Sequence, residues 1–215
     1  MHSMIIVISF LAIASFHLAL ANPLSQLFGT INSETPPFDI VSKGSKYEVR
    51  RYRSQLWAQV DYTVEASTDF GDKLSIGFRP LFQYITGKNE KKQKIPMTIP
   101  VIMQQLDSDS GRRRMAFIMP ASQFSTLDQL PKPIDTNVKL VAINDPLLLA
   151  CIKFNMNLTS KRVTARETEL RKATEVDHIQ LINEQASIRV GGYNPPWTLP
   201  WFRTNDLCIP LVNQA

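Results

Sequence analysis

Few side chains in this chain suit chemistry. It holds three histidines, and two of them, His2 and His17, fall in an apolar leader. His178, set among Glu175, Asp177 and Gln180, is left as the one imidazole outside it. No Gly-x-Ser-x-Gly elbow accompanies it, and no Gly-rich phosphate loop occurs. One histidine cannot build a histidine-rich metal site or a two-histidine acid/base pair. An exposed loop histidine is the plain reading, and binding is expected rather than catalysis.

Other groups of residues bear on binding and on maturation. Gly191–Arg203 (GGYNPPWTLPWFR) carries Tyr193, Trp197, Trp201 and Phe202 on a segment stiffened by three prolines. A stiff loop loses little entropy when a ligand lies against it. The rings either wall a pocket or plug the open end of a barrel. Phe70–Val101, with the charged run Gly87–Lys94 inside it, is the stretch expected to carry function. Cys151 and Cys208 are too few and too far apart for a zinc knuckle. Asn157-Leu158-Thr159 is a glycosylation sequon in an expected loop.

The net charge of +5 and pI near 9.3 favour acidic ligands. The basic residues are dispersed, Lys91-Lys92 and Arg112-Arg113-Arg114 at expected turns, and no nucleic-acid motif accompanies them, so nucleic acid is not an expected partner.

These groups need elements to hold them. Phe70, Leu74, Phe78, Leu81, Phe82 and Ile85 recur at helical spacing, with Lys73, Arg79 and Gln83 turned away. Pro80 predicts a kink or a break inside that helix, and Gly87 can close it. Met97, Ile99, Val101 and Met103 then alternate as in a strand. Strands are also expected at Tyr47–Tyr52, Leu56–Val64, with Trp57 out of phase, and Arg114–Met119. After a Ser/Pro/Asp connector, Ala121–Asn137, come Val138–Ile143 and Leu147–Phe154. A helix capped by Thr159 or Ser160 runs to about Thr174 on a thin stripe of Val163, Leu170 and Ala173. Ala186–Val190 and Leu207–Leu211 follow.

Strand–strand–helix–strand–strand thus occurs twice, offset by about 90 residues, a duplication of element order. The fold class is α+β: a mainly antiparallel sheet or open barrel with two helices outside. The domain runs over 44–213, its halves about 44–120 and 138–213, after a mobile lead-in at 22–43.

Ile5–Leu20 is almost wholly apolar, and Ala19-Leu20-Ala21 suits signal peptidase cleavage after Ala21. A retained anchor is the other reading, at the short end for a bilayer span. With 1–21 removed, no stable membrane insertion is expected and the protein is secreted or lies in the secretory lumen. Cys151 and Cys208 then mature under oxidising conditions. Each lies on the less apolar side of its strand, and they pair if the strands are neighbours in register.

Tyr47-Glu48-Val49-Arg50-Arg51-Tyr52, Tyr84-Ile85-x-Gly87-Lys88-Asn89, Ile95-Pro96-Met97-Thr98-Ile99-Pro100-Val101, Phe117-Ile118-Met119-Pro120 and Gly192-Tyr193-Asn194-Pro195-Pro196 with Arg203-Thr204-Asn205-Asp206 stand in order. Together they resemble the SOUL haem-binding protein family over about Pro37 to Leu211. The resemblance implies a distorted antiparallel barrel of two similar halves with two helices packed outside. It also implies binding of haem or another tetrapyrrole at the first helix and the aromatic loop. Some members have a proposed histidine ligand where Arg51 stands here, and arginine cannot coordinate iron. The groove positions correspond to Ile76, Arg79, Gln83 and Tyr84, with Trp197 as a wall. The expected function is non-catalytic binding, by a monomer, of a flat, apolar, anionic ligand such as haem, without histidine ligation. An interaction or signalling module on the same scaffold, or a small-molecule hydrolase, are the alternatives.

Overall fold

A computed structural model describes residues 28–29, 33–107, 109–144 and 147–213. The expected leader at 1–21 and the expected cleavage after Ala21 fall outside the described residues. In chain order come β1 (Phe38–Lys43), β2 (Glu48–Tyr52), β3 (Gln55–Thr63), α1 (Leu74–Ile85), β4 (Val101–Asp107) and β5 (Arg112–Ile118). The second half supplies β6 (Lys139–Ile143), β7 (Leu147–Phe154), α2 (Ser160–Val176), β8 (Arg189–Gly192) and β9 (Asn205–Pro210). All strand pairs are antiparallel, in one curled sheet ordered β1-β2-β7-β9-β8-β4-β5-β3-β6. The fold is α+β, as its element order implies.

The duplication is visible in that order. β2-β7-β9-β8 on one side mirrors β6-β3-β5-β4 on the other, and the halves meet where β4 pairs β8. The first strand of each half is exchanged: β2 pairs β7, and β6 pairs β3. β1 adds an edge strand to β2, inside the segment read from sequence as a lead-in. Its six residues are all exposed, which is why no alternation marked it.

The helices cover one face of the sheet. α1 packs on β3 and β5, and α2 on β7 and β9. Leu81, Tyr84, Met115, Phe117, Leu170 and Leu207 lie in the core between them, each at most 2% exposed. α1 comes close to the sheet at Gly77, where an added Cβ would meet the Tyr62 ring at 2.6 Å and Met115 Cβ at 2.9 Å. Gly87, at φ 111°, lets Lys88 N–H reach Gln83 O and Gly87 N–H reach Tyr84 O, the paired bonds of a Schellman close. Pro80 neither breaks nor ends α1; it removes one ladder bond, to the carbonyl of Ile76 on the outward side. α2 is shallow, with only Leu170 and Thr174 buried.

Two strands start later than the alternation suggests. Met97–Pro100 has strand spacing but β4 begins at Val101, because Pro96 and Pro100 have no amide hydrogen to give a ladder. Ile99–Pro100 is a cis bond. Ala186 lies in a single 3₁₀ turn, Gln185–Ser187, so β8 begins at Arg189.

The second face of the sheet is also covered, which explains Trp57. Trp57 is 2% exposed and packs with Ile102, Ala116 and Ile118. Beside it Tyr52, Leu149, Cys151 and Cys208 form another apolar cluster. Cys151 stands directly opposite Cys208 in the β7–β9 register. The two are bonded, with an S–S distance of 2.06 Å and alpha carbons 4.1 Å apart.

Candidate ligand-binding face on the first helix

α1 presents Ile76, Arg79, Phe82 and Gln83 away from the core. Ile76 is 45% and Phe82 46% exposed. Phe82 had the spacing of a core residue, and the structure turns it outward. The buried arc is Gly77, Leu81, Tyr84 and Ile85, and each residue advances about 100° around the helix, which carries Phe82 past the arc's edge. The ring is nonetheless anchored. Phe78 stacks on it with centroids 5.6 Å apart and meets buried Phe117 edge-on at 5.2 Å.

Arg79 is exposed and makes no ion pair among the described residues, so its guanidinium is available to an anion. Tyr84 does not join this face. It is 1% exposed and its hydroxyl donates to Pro131 O at 2.8 Å; burial raises the phenol pKa well above its usual value. Tyr84 is a core residue, corrected from its place among the groove positions. The basic turn after α1 is ordered around buried Asn89, whose amide donates to Tyr84 O and Gln93 O while its oxygen accepts from Gln93 N. Lys88, Lys91, Lys92 and Lys94 remain exposed around it.

The aromatic loop is a separate surface. Arg203 ties it down by donating to Thr198 O at 2.8 Å and to Pro196 O. Thr204 N–H donates to Asn194 Oδ1. Trp197 is 58% and Trp201 59% exposed, so neither ring plugs the sheet. Met156 N–H donates to Pro200 O, and Phe28 meets Phe202 edge-on at 5.5 Å. These neighbours follow β7 and precede β1, whereas α1 rests on β3 and β5. The structure thus brings Ile76, Arg79 and Gln83 onto one face and leaves Trp197 on another element.

Neither histidine candidate position reaches α1. His178 is exposed at the turn after α2, at φ 56°. Arg51 is exposed on β2, which pairs with β1 and β7. Asn157 is exposed between β7 and α2, and Thr159 of its sequon caps α2 by accepting from Arg162 N.

One polar constellation is not legible in the local sequence pattern. Arg50 is 1% exposed on the second face of the sheet, and its Nη1 lies 2.5 Å from Asp206 Oδ2. Tyr193 donates to the same oxygen at 2.7 Å, and Arg50 Nε lies 3.1 Å from Glu48. Burial works against the Arg50 charge, but the Asp206 carboxylate outweighs it and raises the pKa above the ordinary value. A signal was present: adjacent Arg50 and Arg51 in one strand must face opposite sides, so one had to meet a covered layer.

The family described as SOUL heme-binding protein matches residues 33–210. Heme-binding protein 2 of Homo sapiens is 34% identical over 111 residues, 49% of this chain and 52% of that protein. The chain thus spans about half the length of that relative in the match. Heme-binding protein 1 of Sus scrofa is 26% identical over 193 residues, 86% of this chain and 95% of that protein. A crystal structure of a hydrolase from Listeria innocua superposes with a TM-score of 0.53 at 12% identity, covering 80% of this chain and 94% of that one. At that identity the likeness is of fold alone.

Proposed function

Because the chain belongs to the SOUL heme-binding protein family, we propose that it binds haem or a related tetrapyrrole on the outward face of α1 and catalyses no reaction itself. The observation that carries this reading is an apolar surface beside a free cation: Ile76 and Phe82 are nearly half exposed, with unpaired Arg79 between them along the helix. A porphyrin would gain apolar and ring contact from the first two. Arg79 would hold a propionate through a charge-assisted hydrogen bond, aided by the lysines after the helix. Iron ligation by His178 has no part in it. The apolar leader at 1–21 and the disulfide between Cys151 and Cys208 support an address in the secretory pathway, because such bonds persist in oxidising compartments.

Haemin titration followed by Soret absorbance, with metal-free protoporphyrin IX alongside, tests the reading. Both ligands are expected to bind. Ile76→Asp with Phe82→Asp should weaken both by more than tenfold, about 1.4 kcal/mol, while His178→Ala leaves affinity within that factor. Loss of haemin binding in His178→Ala would overturn the α1 face as the site. No binding of either ligand would leave the scaffold as an interaction module.

Trp197 has its own test. If the bound ring reaches the aromatic loop, Trp197→Ala weakens haemin binding by about 1–3 kcal/mol, the loss of a large aromatic contact. Since no described contact joins that loop to α1, the expected result is unchanged affinity. A measured loss would place the ligand across both surfaces.

A further inference from the structure

The second face of the sheet holds a narrow groove between its two apolar clusters. Tyr52, Trp57, Ile102, Ile118, Leu149 and Arg189 line it. Pro36 closes one side, on a segment pinned where Ile99 N–H donates to Glu34 O at 3.0 Å and Ser122 to the Glu34 carboxylate. The groove lies on the opposite face of the sheet from α1.

Its unexplained feature is a cation. The Arg189 guanidinium sits 4.9 Å over the Trp57 ring, and it has no ion pair or hydrogen bond among the described residues. Its Nε is buried and unpartnered. Desolvation pushes its pKa down to about 10, so the group is still charged at neutral pH. Nearby valences are also open: Asp206 lines the groove with Oδ1 unpartnered, and its partner Arg50 keeps Nη2 free. Burying a charge without a counter-charge is costly. Arg189 is half-buried, and unlike Arg50, which pairs with Asp206, it forms no ion pair among the described residues.

We propose that this groove binds the carboxylate of a short-chain organic acid, with Arg189 as its counter-charge. A planar guanidinium fork fits a carboxylate through two parallel hydrogen bonds. The groove is partly open to solvent, and its inner space is about 30 Å³, room for roughly two waters. That admits a carboxylate head and excludes a porphyrin. Trp57, Ile102, Ile118 and Leu149 give an alkyl tail apolar walls. The site is independent of α1, and a result at one does not bear on the other.

The test uses the full chain and nitrogen–proton NMR, because Trp57 lies in the groove and the other two tryptophans, Trp197 and Trp201, lie on the exposed loop. Propanoate should shift the Trp57 indole signal saturably and leave the other two in place. Propanamide, isosteric but neutral, should not, and neither should chloride. Arg189→Met should weaken propanoate binding more than tenfold. It should also raise the melting temperature of the free protein by about 2–4 °C, because it removes a desolvated, unpaired charge. An absent Trp57 shift, an equal shift with chloride, marking an adventitious ion only, or a shift that survives Arg189→Met would overturn the proposal. So would an Arg189→Met protein that melts lower or fails to fold, since Arg189 would then be structural.

Discussion

Arg50→Met is expected to destabilise the protein by about 3–5 kcal/mol, the cost of leaving a buried charge without its partner. Asp206 is 2% exposed and has Arg50 as its only ion-pair partner among the described residues. With the guanidinium gone, that carboxylate keeps Tyr193 as its one hydrogen-bond donor among the described residues. Urea unfolding reads the loss as a lower midpoint with unchanged slope. The double variant Arg50→Met with Asp206→Asn should recover a large part of it, because both charges then leave together. If the double variant is no more stable than the single one, packing around Phe38 and Tyr52 holds this region, and the ion pair is incidental.

Removing the disulfide should have the next largest effect. Cys151→Ala with Cys208→Ala opens a loop spanning a sequence separation of 57 residues, for which chain entropy sets a loss of at most about 4 kcal/mol. Both cysteines are buried in a packed cluster, and their strands keep a full register. The fold should therefore survive, with a lower midpoint. Thiol titration of the unreduced protein should find no free thiol. Two free thiols would contradict the bonded pair.

Elements with clean periodicity are legible in the sequence, and positions that depend on distant partners are not. β3, β7 and β9 alternate plainly, and the repeated element order led to the antiparallel sheet. α1 was legible as a helix, but its edges were not: Phe82 and Tyr84 lie on opposite borders of the buried arc, and only the packing of Gly77 on Tyr62 settles its rotation. Cys151 and Cys208 were correctly placed on the less apolar sides of their strands. Their register was set by the β7–β9 pairing, which no local signal encodes. The Arg50–Asp206 pair joins residues 156 positions apart, and Arg189 looks like any surface arginine until the sheet curls over it.

The strand exchange between the halves imposes an order on biosynthesis. β2 must wait for β7, roughly 100 residues later, which is about 5–20 s of translation at ordinary rates. Until then only β1 can lie against it, leaving a bare edge that carries Arg50 without Asp206. The oxidation of Cys151 comes later still, because β9 is the last strand to emerge. Through that interval β1 and β2 form a hairpin with one strand edge still open.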